Sequence, residues 1–135
     1  MWQFTHSVTT HKTAEQIWRL YASPETWNTW DHETEWAKLN GPFAAGSVID
    51  FKPKGASQIV TTIELCMPMR RVLDKTRLPL ATLLFDHVLE QTAAGLRVTH
   101  TVTISGPLTF VWKRIIGYKI AAGLPVSMQN LVNAA

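Results

Sequence analysis

Six strand-like segments in a row, followed by one long helical segment, leave this chain few ways to bury its apolar surface. "TEWAKLNG", "SVIDFKP", "QIVTTIELC", "RVLDKTRL", "TLLFDHVLEQ" and "LRVTHTVTIS" are divided by Pro, Gly and Ser or by the turn "TAAG". That spacing predicts a meander of antiparallel strands. Gly106-Pro107 then breaks the sheet. From Leu108 almost to the end, "LTFVWKRIIGYKIAAGLPVSMQNLV" reads as a helix, with Val111, Ile115, Ile116 and Ile120 at helical spacing. Pro125 cannot donate to the backbone and Gly123 weakens the same turn, which predicts a kink there. One helix can cover so many strands only if the sheet curves around it.

The N-terminal part adds one strand and two short helices. In "QFTHSVTT", Trp2, Phe4, His6 and Val8 alternate with Gln3, Thr5, Ser7 and Thr9, as in a half-buried strand. "TAEQ" reads as a capping box with Thr13 as N-cap and Gln16 reaching back, and Ile17, Leu20 and Tyr21 come next at helical spacing. Ser23-Pro24 restarts the chain into a second short helix from Glu25 to about Trp30. Trp27 and Trp30 then share one face of it, with Trp36 beyond in the next strand. The stretch "ETWNTWDHETEW" thus spends three of the six tryptophans within 12 residues. Each is expected in a core, yet two short helices seldom bury two indoles between them.

A chain of 135 residues is one domain, spanning 1–135, long enough for a single sizeable core. Its net charge of +3 is mild, and the basic groups Arg70-Arg71, Lys75-Arg77 and Lys113-Arg114 are scattered with no aromatic residues between the paired charges. A nucleic-acid partner is therefore not expected. Cys66 stands alone, which excludes an intrachain disulfide and a CxxC motif; a buried, inert thiol is expected. The N-terminal stretch lacks a basic region before an apolar core, so it reads as a strand rather than a signal peptide. No apolar run reaches the roughly 20 residues that span a bilayer. A cytoplasmic location is the default expectation.

The order strand, two helices, six strands, long helix resembles the START-like, helix-grip superfamily that includes polyketide cyclases/dehydrases and the birch pollen allergen. The resemblance covers essentially the whole chain and is carried by "TAEQIWRLYASPETWNTWD", "LNGPFAAGSVIDFKPKG", "FDHVLEQTAAGLRVTHTVTISGPL" and "IAAGLP". These look most like the bacterial polyketide-cyclase-type branch. The resemblance implies an α+β fold in which a seven-stranded curved antiparallel sheet wraps a long C-terminal helix around an elongated apolar cavity.

Candidate chemistry comes from parity. Phe85, His87 and Leu89 share one face of their strand, with Asp86 and Glu90 on the other. Leu96, Val98, His100, Val102 and Ile104 form the apolar face of the next strand, which places His87 and His100 opposite or diagonal across the hairpin. His6 has the same parity on the first strand, so helix-grip pairing lines up three inward histidines. A metal site is not expected, because no inward carboxylate or cysteine joins the set. No cofactor is expected either. His87 and His100 are candidates for an acid/base pair; otherwise they are buried, neutral and bonded to each other or to Tyr118. His32, among Asp31, Glu33 and Glu35, reads as a solvated surface residue. Arg77 either guards a cavity mouth or faces water. No serine sits in a nucleophile elbow, and no glycine pattern cradles a phosphate.

The expected function is binding of a small, mostly apolar molecule, of polycyclic or lipid-like kind, by a monomer or homodimer. Trp27, Trp30, His6, Phe85, His87, His100 and Arg77 are the expected ligand-binding residues. The alternatives are a cyclase/dehydratase using His87 and His100, and a partner-binding module, for which no large exposed apolar stripe is expected.

Overall fold

The computed structural model describes all residues, 1–135. Strand β1 (Trp2–Thr10) leads into helix α1 (Ala14–Tyr21), a 3₁₀ helix (Pro24–Thr29), and strands β2 (Thr34–Asn40), β3 (Val48–Pro53), β4 (Ile59–Met67), β5 (Arg71–Leu78), β6 (Ala81–Thr92) and β7 (Gly95–Ser105). The strands form one seven-stranded antiparallel sheet in the order β1-β7-β6-β5-β4-β3-β2. The first strand therefore closes against the last, and β2 forms the far edge.

Local chemistry sets the elements. The capping box forms with both bonds: the Gln16 N–H donates to Thr13 Oγ1 at 3.1 Å, and the Thr13 N–H donates to Gln16 Oε1 at 2.8 Å. Ser23 does not cap the next helix as expected; its hydroxyl turns back and donates to the Arg19 carbonyl at 3.1 Å. The segment after Pro24 then forms 3₁₀ turns, and Trp30 lies just beyond the last of them.

The C-terminal helix begins at Thr109 and runs to Ala134, with its second turn, Lys113–Gly117, wound as π-helix. That wider turn corrects the predicted buried stripe. Trp112, Ile116 and Ile120 pack against the sheet, Val111 is half-buried, and Ile115 is 58% exposed. A π turn adds one residue to a helical turn and so rotates the residues beyond it. Pro125 lies inside the last segment, Tyr118–Ala134, which stays α-helical through it.

The packing is built on the inner sheet face. Leu96 and Val98 of β7 and Leu89 of β6 join Ile17, Trp18 and Tyr21 of α1 and Leu124, Met128, Leu131 and Val132 of the C-terminal helix in the main core. A smaller cluster at the other end joins Ala81, Leu83, Val102 and Ile104, with Trp112, Ile116 and Ile120 packed against it. The long helix thus covers the inner face from end to end, and α1 completes the cover at one end.

Candidate functional site

Three histidines lie in one row on the inner face. His100 of β7 is the direct partner of His6 on β1 and of His87 on β6. Directly opposed residues on one face sit within side-chain reach, and the His87 and His100 rings meet edge to face at 4.6 Å. Phe85 stacks on His87 at 4.8 Å. From α1, the Tyr21 hydroxyl reaches His100 Nε2 at 2.6 Å, a buried bond that ties the helix to the sheet. Sequence reasoning offers two partners for the histidines, each other or Tyr118. That residue instead is 52% exposed and packs edge-on against Trp2.

His87 Nδ1 lies 3.1 Å from the Val72 carbonyl. A carbonyl only accepts, so Nδ1 carries the proton and Nε2 is left as an acceptor. No protein group bonds to that Nε2; the ring's one hydrogen bond is the one at Nδ1. Burial, opposed by the Val72 bond and by Asp86, brings the His87 pKa down to about 4. Burial also pushes His100 well below the usual histidine range, helped by the neighbouring His87 and His6. Tyr21 is held well above the usual phenol range by burial. At neutral pH, His87 and His100 with Tyr21 offer uncharged donors and acceptors.

A carboxyl joins this face, contrary to expectation. Asp74 on β5 has the parity of buried Val72 and Thr76 and pairs with inward Phe85 and Ile63. Its Oδ1 accepts from the Thr61 hydroxyl at 3.1 Å. Burial raises its pKa to about 7, against the Thr61 bond and with some help from Asp86. Cys66 also turns inward, opposite Val72, because a bulge between Ile63 and Leu65 shifts the strand by one residue. Its pKa is raised by burial. Even so, no three His, Cys, Asp or Glu side chains converge closely enough to share an ion.

No protein-family model matches the sequence, and no curated protein matches it by sequence. Solved structures do match. The di-domain ARO/CYC StfQ from the steffimycin biosynthetic pathway superposes with a TM-score of 0.79 at 10% identity, over 98% of this chain and 50% of that one. The protein MLL2253 from Mesorhizobium loti gives 0.77 at 14% identity, over 98% and 95% of the two chains. Ara h 8.0201 gives 0.70 at 12% identity, over 97% of each. The fold is the helix-grip fold.

In helix-grip terms the gripping sheet carries the histidine row with Phe85 stacked on it, and the predicted tryptophans lie outside the row. Trp30 is buried in the main core, and its Nε1 has no partner. Trp27 is half-buried and donates through Nε1 to the Tyr21 carbonyl at 3.1 Å, so it braces the helix that supplies the hydroxyl. Trp36 is exposed on the edge strand β2. Arg77 is exposed, with the parity opposite to buried Thr76, so it sits on the outer sheet face away from the row. His32 is exposed, as expected of a surface residue. Asp31 beside it is less free: it accepts from the Glu33 N–H and the Thr34 hydroxyl. A cleft of about 560 Å³ lies between α1 and the β4–β5 turn, lined by Ala14, Met67, Met69, Arg70 and the inner-face residues Leu89 and Leu96, among others. None of the histidines lines it.

No helix is long and apolar enough to cross a membrane. Sequence reasoning missed Tyr21 as a site residue although it stands one turn after Ile17, and Asp74 although it alternates with Val72 and Thr76.

Proposed function

We propose that this chain binds a small, mostly apolar molecule against the inner face of its sheet, with the Tyr21–His100–His87 cluster meeting the polar end of that molecule. The observation that carries this reading is His87 Nε2: an acceptor on an apolar wall, fixed in its tautomer by Val72, with no protein donor. Unlike Trp30 Nε1, this nitrogen is not sealed off by the protein around it, so a donor from outside the chain can reach it. A ligand hydroxyl or N–H supplies the missing donor. Two further features support the reading. Phe85, His87 and Asp74 point inward deep in the protein yet keep accessible surface, as residues facing a space within the fold do. The cleft between α1 and the β4–β5 turn has inner-face Leu89, two residues from His87, among its lining, which suits an approach route. StfQ, named as an ARO/CYC protein, and Ara h 8.0201 share the fold at low identity, and fold alone does not assign activity.

The test compares naphthalene with 1-naphthol, which adds one hydroxyl. The wild-type protein should bind both and prefer 1-naphthol, and His87→Phe should remove about a fivefold to tenfold preference, the worth of one hydrogen bond. Binding of neither probe, or a preference that survives in His87→Phe, contradicts the proposal.

A second reading, catalysis of cyclase or dehydratase type, draws on one specific observation. Asp74, a carboxyl raised to about 7, and His87, an imidazole lowered to about 4, face the same side of adjacent strands. Near neutral pH such a pair holds a protonated acid beside an unprotonated base, the condition for moving protons at a bound carbonyl compound. Turnover of a poly-keto substrate abolished in both His87→Ala and Asp74→Asn distinguishes this reading from simple binding.

A further inference from the structure

The outer face of the C-terminal helix has a composition that the inner-face site does not account for. Phe110, Ile115, Tyr118 and Val126 are 57%, 58%, 52% and 59% exposed, and they recur at helical spacing once the π turn is counted. Leu80, 66% exposed, is fixed beside the start of the helix. The Leu108 N–H donates to its carbonyl at 3.0 Å, and Trp112 Nε1 donates to the Pro79 carbonyl at 2.9 Å. Leu80 has a φ of 53°, the left-handed region that branched residues avoid. A strained turn that holds a leucine out in water costs stability, and such features cluster at functional surfaces.

Charge is segregated onto the same helix. Residues 106–135 contain Lys113, Arg114 and Lys119 and no acid, whereas the other 105 residues hold ten basic and ten acidic side chains. The whole net charge of +3 therefore resides on this one element. The acids beside it are Glu33, 3.5 Å from Lys119, and Asp31, which lines a cleft with Glu33, Gly123 and Val126 near the far end of the helix. Lys113 and Arg114 form no ion pair with any acid. This exposed apolar stripe corrects the expectation that none exists.

We propose that the outer face of the C-terminal helix, with the Pro79–Leu80 turn, docks the protein onto anionic lipid bilayers. Phe110, Ile115, Tyr118 and Leu80 enter the headgroup boundary, and Lys113 and Arg114 lie against lipid phosphates and carboxylates. Apolar and aromatic side chains flanked by Lys and Arg on one helix face are the pattern of interfacial helices. A second copy of this chain does not fit the face, because symmetric pairing would oppose like charges. The exposed helix face is a ridge rather than a groove, which suits a flat, fluid surface. This proposal does not depend on what binds inside the sheet.

Co-sedimentation with vesicles tests it, using phosphatidylcholine alone and phosphatidylcholine mixed with phosphatidylserine. The wild-type protein should pellet with the anionic vesicles, less so as salt rises, and weakly with the neutral ones. Lys113→Gln with Arg114→Gln should weaken partitioning about thirtyfold, from roughly 1 kcal/mol per cation near an anionic surface. Phe110→Ser with Ile115→Ser, both at exposed positions, should also release the protein while its thermal melt stays that of the wild type. Equal pelleting with both vesicle types, or none, overturns the proposal, and the wild-type protein alone suffices for that result. It is equally overturned by a dimer that dissociates in the Phe110 variant, or by binding to an acidic protein without binding to anionic vesicles.

Discussion

His87, His100 and Asp74 share the inner face of the sheet, yet its histidines and its carboxyl carry opposite pH signatures. The folded pKa of His87 is about 4 against an ordinary 6.5. In the window between those values the unfolded chain binds a proton that the folded chain refuses, so stability is lost as pH falls through it. His100 acts in the same direction. Asp74 runs the other way. Its folded pKa of about 7 exceeds the ordinary 3.8, so the folded chain keeps a proton that the unfolded chain releases, and stability is lost as pH rises from about 3.8 to about 7. Asp74→Asn keeps the acceptor for the Thr61 hydroxyl and removes this loss. Relative to wild type it should therefore gain stability as pH rises through that window, by at most about 1.4 kcal/mol per pH unit. Urea midpoints at several pH values check this; parallel profiles for the two proteins contradict it. Asp74 was within reach of the sequence, since its parity matches Val72 and Thr76. It was overlooked because a lone acid in "RVLDKTRL" resembles the lysines and arginines around it.

At the scale of elements, the strands and their faces were legible because period-2 alternation survives burial on one side. Every inward residue named for β1, β6 and β7 lies on the inner face, and the histidine register came out directly opposed. What could not be read was irregularity. The β4 bulge that turns Cys66 inward, the 3₁₀ winding after Pro24 and the π turn at Lys113–Gly117 each change a count by one residue. Nothing in local propensity marks such a residue, because the cause is tertiary. At the end of the π turn, Gly117 lets the helix approach the sheet: a Cβ there would meet the Trp2 ring at 3.1 Å and Ile104 Cδ1 at 3.3 Å. Gly117→Val should therefore destabilise the protein by about 1–3 kcal/mol, as overpacking does. Chemical denaturation checks it, and an unchanged midpoint would show that the helix end yields freely.

Over the whole molecule, the resemblance supplied the closure of β1 against β7, which periodicity alone cannot give, and the superposed structures carry the same fold at 10–14% identity. The site was half legible. The histidines announced themselves as polar residues on apolar faces, whereas Tyr21 meets them only through the packing of α1 onto the sheet. The tryptophans of the opening helices serve that packing: Trp30 fills the core, and Trp27 holds the carbonyl of Tyr21. Central to the proposed function is a bound apolar molecule whose polar end meets His87 Nε2. Nitrogen-15 NMR of the imidazoles, recorded as 1-naphthol is added near neutral pH, measures this directly. His87 should start as a neutral ring with its proton on Nδ1, and its Nε2 resonance should shift saturably, as an acceptor gaining a donor does. An unperturbed His87 Nε2 while 1-naphthol binds, or a His87 that titrates freely near the ordinary value of about 6.5, would contradict it.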